Sequence, residues 1–406
     1  MTARGWDTTA LALGSATSGL LAYVVFALTT RALGAEAAAP VSVLWSYWSF
    51  TGAAFTFPLQ HWIARTVTAH GEGAVRQAVP QLSLVVVGAS VLLGGLAWLV
   101  REPLFHRDDL WFPSMVALVT LGSALIGVVR GGLSAQLRFT DVAWSLVAEN
   151  GVRCVAVGVL FLSDVQSAVG FGLCLVAGNL VALLWPRSVR FGKERTSRQT
   201  HTALAFLSGA ALAQLLGQIV LTGGPVVLAL AGGSPSEVTA LFASLALFRA
   251  PYILALGMVA QLTTMVSRLV VAGKASALRE MRNTVVAATA VAVAFAALVG
   301  AALGPTALRL IFGSEVTMQT PQAAVVAIAC TFAVANLVVT VRVLALNQPA
   351  GIAWSWLVAV AAAGLCFTAL STLPASEQTT WSFLSAEVVA FAALLFVDAR
   401  ATRSTA

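Results

Sequence analysis

The sequence predicts an all-α fold: a polytopic membrane protein of about 12 transmembrane helices, each near the roughly 20 apolar residues that cross a hydrocarbon core of about 30 Å. Composition agrees, since 59% of the 406 residues are hydrophobic and 10% are charged, with a mean hydropathy of +0.90. A soluble chain carries about 25% charged residues. The short loops are basic and non-basic in turn, as in a chain that crosses a bilayer repeatedly. No stretch reads as a water-soluble domain.

The first span, 8–30, is longer than the apolar region of a cleaved signal peptide and is followed by Arg31 and further spans, so it reads as a retained helix. The second, 39–62, is aromatic: Trp45 and Trp62 near its ends suit an interfacial belt, and Trp48 lies deeper, where it could stack on a sugar ring. Spans 80–100 and 111–131 follow. The fifth, 141–162, carries Glu149, Asn150 and Arg153. The sixth, 167–186, holds Gly170, Gly172 and Gly178 inside a span instead of at a strand-to-helix turn, so they make no nucleotide site. The seventh, 203–228, has Gln214 and Gln218 at i, i+4, and the eighth, 238–265, has Arg249 and Pro251. Pro251 is expected to kink that helix. The ninth, 283–303, ends in Gly300 and Gly304, a small-residue pair suited to internal packing. Spans 323–345 and 350–371 precede the last, 379–397, which carries Glu387.

The most basic loop, 186–201, divides the spans into equal halves. It reads as a linker (188–202) between an N-terminal lobe, 1–187, and a C-terminal lobe, 203–406. The same residues would anchor at an anionic cytoplasmic leaflet, and the two roles are compatible.

Charge sets the orientation. Loops on the N-terminal side hold Arg4, Arg65, Arg76, Arg130, Arg138, Arg187, Arg190, Lys193, Arg195, Arg198, Arg268, Lys274, Arg279, Arg282, Arg342, Arg400 and Arg403. The other side holds Arg31, Arg101, Arg107 and Arg309. Lysine and arginine are retained in the cytoplasm, so both termini are expected there, in a multi-pass protein of the cytoplasmic (inner) membrane. The net charge of +7 therefore points to membrane lipids as partners and not to nucleic acid. Cys154, Cys174, Cys330 and Cys366 fall inside spans without metal-ligand spacing and read as free thiols. No cofactor or metal is expected.

Charges near the bilayer centre cost at least about 2.5–3.5 kcal/mol, so each needs a reason. Arg249 lies roughly 16 Å into its span, too deep to snorkel easily. It reads either as a cationic anchor for a phosphate, which a guanidinium binds in a bidentate way, or as a buried partner of Glu387. Glu149 and Arg153 have the favourable order for an i, i+4 ion pair. They form a structural pair, or Arg153 touches cargo while Glu149 carries a proton. Glu387 has no lysine or arginine within four residues and is the better candidate for ion coupling. Asn150, Gln214 and Gln218 suit interhelical hydrogen bonds or contacts to sugar hydroxyls.

Several stretches resemble the multidrug/oligosaccharidyl-lipid/polysaccharide exporter superfamily. Thr30-Arg-Ala-Leu-Gly34, leading through Trp45 to Pro58–Arg65, is similar to its first loop and second helix. Ala148-Glu-Asn-Gly-Val-Arg153 matches in the fifth span, and Leu308-Arg-Leu-Ile-Phe-Gly313 with Arg342–Gln348 resembles the polysaccharide transporter branch, the O-antigen-type flippases. The chain departs from the pattern at the eighth span, where Pro251 sits earlier than usual, and it lacks two C-terminal spans of the peptidoglycan-precursor flippases. The resemblance implies two six-helix lobes around a central cavity that opens alternately to each side. It implies a polyprenyl-pyrophosphate-linked oligosaccharide as cargo, with other polysaccharide-assembly proteins as partners. A proton- or sodium-coupled small-molecule exporter is the alternative on the same architecture. No phosphate-cradling Gly-x-x-x-x-Gly-Lys loop is present. A membrane polymerase or glycosyltransferase would need a large catalytic outer loop. Here the outer loops are short, and Glu102, Asp108 and Asp109 beside His106 read as a solvated span end. The chain is expected not to be an enzyme.

Overall fold

The computed structural model describes residues 3–192 and 214–404. Most of the predicted linker 188–202, including Lys193, Arg195 and Arg198, and the start of the seventh span lie outside the described residues. The described chain is helical throughout and forms two compact units, Met1–Gln218 and Ile219–Ala406, which divide within the predicted seventh span.

In the first unit, α1 (Ala3–Ala37) turns at Gly34, whose φ of 75° is available to glycine without penalty. This is the turn that the Arg-x-Leu-Gly motif anticipates. The second predicted span is irregular: α2 (Ala39–Thr51) passes through a π-helical turn (Gly52–Thr56) into α3 (Phe57–His70). Thr51 Oγ1 and Ser123 Oγ lie 2.9 Å apart, and Thr56 Oγ1 donates to Ser123 O at 2.8 Å, which fastens this turn to a neighbouring helix. That neighbour is α6 (Trp111–Ala135), reached through α4 (Glu72–Leu99) and the short α5 (Arg101–Phe105). α7 (Phe139–Leu162) and α8 (Ala168–Ala177), which runs into a 3-10 turn (Gly178–Leu184), complete the unit. α6 is its core and packs on α2, α3, α4, α7 and α8, while α1 lies along α7. Small residues let α6 take that place. A Cβ at Gly127 would sit 2.8 Å from Thr56 O, so only glycine admits the π turn there.

In the second unit, α9 (214–222) and α10 (Gly224–Leu230) lead to α11 (Pro235–Phe248), which opens with a capping box between Ser234 and Glu237. α12 (Ala250–Val271), α13 (Ala275–Phe312), α14 (Thr320–Ala345), α15 (Pro349–Ala369) and α16 (Ala375–Ser404) follow. Here α14 is the core, packed on α11, α12, α13 and α16. Its buried face is alanine-rich, with Ala323, Ala327, Ala329, Ala333 and Ala335.

The backbone repeats between the units although the letters do not. In the first unit the ends of the first four spans carry positive φ at Gly34, Gly71, His106 and Leu137; in the second they do so at Gly232, Gly273, Gly313 and Asn347. The fourth turns also share their hydrogen bonds: Arg138 N donates to Leu133 O, and Gln348 N to Val343 O. These are Schellman-type endings.

Among the described residues, eight helices are long and apolar enough to cross a membrane, or nine if the bent pair Pro235–Phe248 and Ala250–Leu256 is one span. The sixth predicted span is the shorter apolar helix Ala168–Leu184. Outward-facing residues are apolar, as Leu162 at 83% and Val271 at 89% exposure illustrate. Such a surface suits lipid and not water. The protein is a multi-pass membrane protein.

Candidate functional site

Three charges meet inside the first unit. Glu149 and Arg153 lie on one face of α7, and Arg153 Nη2 donates to Glu149 Oε1 at 2.7 Å. The second carboxylate oxygen accepts from Arg130 Nη2 of α6 at 2.6 Å. Arg130 was counted above as a loop charge; it is instead buried, and it also donates to Ser145 Oγ and Ser145 O. One carboxylate thus serves two guanidiniums.

Arg153 is fully buried. It donates to Leu175 O, Asn150 Oδ1 and Asn179 Oδ1 as well, and its guanidinium carbon lies 4.4 Å from the centroid of the half-buried Trp48 ring. One face of Trp48 is therefore taken by a cation–π contact. Asn150 Nδ2 donates to Ser18 Oγ at 2.8 Å and to Ser18 O, joining α7 to α1. These contacts give Glu149, Asn150 and Arg153 the work of holding α1, α2, α6, α7 and α8 together.

Gly178 makes room for this arginine, since a Cβ there would overlap Arg153 Nε. Gly178→Ala is expected to cost about 1–3 kcal/mol through overpacking, read as a lower unfolding temperature of the purified protein. Gly158→Ala, on α7 with nothing within 4 Å of its Cβ, is the control and should leave that temperature unchanged or raise it slightly. Equal behaviour of the two variants would contradict the packing role.

The second unit holds its charges differently. Arg342 of α14 and Asp398 of α16 form a buried bidentate pair, with Nε to Oδ1 at 3.1 Å and Nη2 to Oδ2 at 3.0 Å, and Arg342 Nη2 also reaches Leu278 O of α13. The charge count above placed Arg342 in a loop, and Asp398 lies one residue past the last predicted span. Their partners are on other helices, so no sequence spacing reports them. With Arg130 and Arg342 removed from the loop tally, the excess of basic residues on the N-terminal side persists.

Glu387 of α16 is fully buried. Its Oε2 accepts from Asn336 Nδ2 of α14 at 2.7 Å, and the same amide reaches Glu387 O at 3.0 Å. Glu387 Oε1 and Asn336 Oδ1 have no hydrogen-bond partner among the described residues, and Glu387 is in none of the salt bridges found there. A carboxylate this poorly served is costly to keep ionised away from water.

Arg249 sits at the junction of α11 and α12, where the eighth span bends by 46°. Pro251, in the first turn of α12, lacks the N–H that would continue the helix. Arg249 is half-buried. On either side of the junction, Leu247, Phe248 and Pro251 line an apolar crevice of about 640 Å³ whose other walls are α13 and α14. Its hydroxyls are spent locally: Thr289 and Thr331 each donate to a carbonyl four residues back. Gln214 is exposed and Gln218 half-buried, both on α9 at the boundary of the two units. No group of histidine, cysteine and acidic residues suited to a metal occurs among the described residues.

No protein-family model matches the chain, and no curated protein matches it. Solved structures do. An inward-facing multidrug-resistance MATE transporter of the MOP superfamily aligns with 14% identity and a TM-score of 0.67, covering 96% of this chain and 95% of the other. The lipid II flippase MurJ, in an inward closed conformation, aligns with 12% identity and a TM-score of 0.70, covering 97% and 90%. The chain shares the fold of these solved structures. A eukaryotic MATE transporter aligns along the same length, with 16% identity, a TM-score of 0.60 and 99% and 98% coverage. Two of the stretches that carried the resemblance are helix ends: the turn at Gly34 and the Phe-Gly ending of α13, where Gly313 has a φ of 110°. MOP neighbours include both drug transporters and a lipid flippase, so the fold alone does not choose the cargo.

Proposed function

We propose that this chain flips a polyprenyl-pyrophosphate-linked oligosaccharide across the cytoplasmic membrane by alternating access, for cell-surface polysaccharide biosynthesis. The observation that carries this reading is the junction at Arg249, where a cation at a broken helix adjoins a long apolar crevice. That pairing suits an anionic head on a lipid chain and is a poor match for cationic drugs. Arg249 binds the pyrophosphate, and Phe248 and Pro251 mark where the chain enters the crevice. The half-buried Trp48, together with Gln214 and Gln218, contacts the sugars. Arg153 and Asn150 act through the scaffold around Trp48. Both termini lie in the cytoplasm, with membrane lipids and polysaccharide-assembly proteins as partners, and residues 188–202 join the two lobes. A binding assay tests the cargo class. Polyprenyl pyrophosphate should raise the unfolding temperature of the purified protein more than polyprenol does, and a lipophilic cation such as ethidium should not raise it. Stabilisation by ethidium alone would overturn the proposal.

The fold likeness to multidrug transporters favours a second reading, an ion-coupled exporter of small molecules. Glu387 serves both readings as the ion-coupling residue, because it is a buried carboxylate with an open oxygen. Glu149, already held by two arginines, is the weaker choice. Glu387→Gln in proteoliposomes is expected to abolish the response of transport to an imposed proton gradient, with Glu387→Asp retaining part of it. A full response in Glu387→Gln would remove Glu387 from coupling.

A further inference from the structure

A second groove in the C-terminal unit, of about 740 Å³, runs between α15 and α16 and touches none of the residues around Arg249. On α15 it follows Gln348, Gly351, Ser355 and Val358; on the antiparallel α16 it runs from Val389 to Arg400. Gln348 and Arg400 mark one end, and Val358 and Val389 the other. From Gln348 to Val358 a helix rises about 15 Å, which is half of a hydrocarbon core of about 30 Å. The groove is one leaflet deep.

Its chemistry is graded along that depth. The deep end is aliphatic. The hydroxyl of Ser355 is satisfied within α15 by Gly351 O at 2.8 Å. The mouth carries the exposed Arg400, which is in no ion pair among the described residues. The nearest acid in sequence, Asp398, is turned inward to Arg342. Trp354, 63% exposed, lines the groove about 9 Å along α15 from Gln348, past its midpoint.

We propose that this groove binds one anionic phospholipid of the leaflet on the arginine-rich side. Arg400 holds the phosphate, and one acyl chain follows Gly351, Trp354, Ser355 and Val358 to the bilayer centre. A groove one leaflet deep with a cation at its wet end fits a two-chain lipid and leaves no use for a water-soluble anion. The site is independent of the cargo reading and stands or falls separately.

Native mass spectrometry of the purified full chain tests it. The probes are phosphatidylglycerol and phosphatidylcholine with identical acyl chains. Wild type is expected to prefer phosphatidylglycerol by about tenfold, because phosphatidylcholine brings a quaternary ammonium that opposes Arg400 while the glycerol headgroup leaves the phosphate charge uncompensated. Arg400→Gln should bring the two lipids within about twofold of each other. Ala392→Trp, which fills the groove at an exposed lining position, should weaken both lipids together. Equal binding of the two lipids by wild type, or an unchanged preference in Arg400→Gln, would overturn the proposal. So would self-association that Ala392→Trp abolishes, because it would assign the groove to a second copy of the chain.

Discussion

Glu149→Ala is expected to destabilise the purified protein by about 3–5 kcal/mol, the cost of leaving buried charge without its partner. The geometry makes this larger than an ordinary ion-pair loss. Glu149 is 4% exposed and is the single anion between Arg130 at 5% and Arg153 at 0%. Removing it leaves two buried guanidiniums without their shared anion. Arg130→Gln should be milder, because the Glu149–Arg153 pair survives it, and adding Arg130→Gln to Glu149→Ala should restore part of the loss. Such neighbours do not add. The measurement is the unfolding midpoint of the detergent-solubilised protein across the three variants. Equal midpoints for Glu149→Ala and Arg130→Gln would contradict the shared-anion arrangement.

Arg249→Ala is expected to lower transport of a lipid-linked anion by roughly 30- to 1000-fold, from the loss of about 2–4 kcal/mol of charge-assisted hydrogen bonding. Arg249→Lys should fall between wild type and alanine, since an ammonium keeps the charge but not the planar fork. The unfolding midpoint of both variants is measured alongside, because Arg249 sits at a helix junction whose bend Pro251 maintains. Full activity in both variants would remove the anchor. Loss of activity together with loss of stability would instead assign Arg249 to structure.

Much of this fold is legible in the letters because lipid imposes a length and a loop charge that composition records directly. The glycines at 34 and 313 are legible for a different reason: a helix end with positive φ accepts few other residues. The broken eighth span was announced by Pro251, and the isolation of Glu387 by the absence of a basic residue within helical reach. What stayed hidden depends on partners from other helices. Arg130 and Arg342 sit three to five residues from the ends of α6 and α14, where a charge normally reaches water, and only the packing of α7 and α16 turns them inward. The π turn at Gly52–Thr56 likewise answers to Ser123 on α6 and has no local signal. Trp48 read as a stacking platform, and the structure gives one of its faces to Arg153. The repeat between the two units lives in the backbone of the turns, where Leu137 and Asn347 share a conformation without sharing chemistry.

The most direct measurement is transport by the purified chain in proteoliposomes, with a fluorescent polyprenyl-pyrophosphate oligosaccharide in one set and a lipophilic cationic dye in another. The account predicts that the labelled sugar becomes accessible on the opposite face in wild-type vesicles, at a rate that Arg249→Ala removes, while the dye distribution does not change. Movement of the dye, with the lipid-linked sugar staying in its original leaflet, would contradict it.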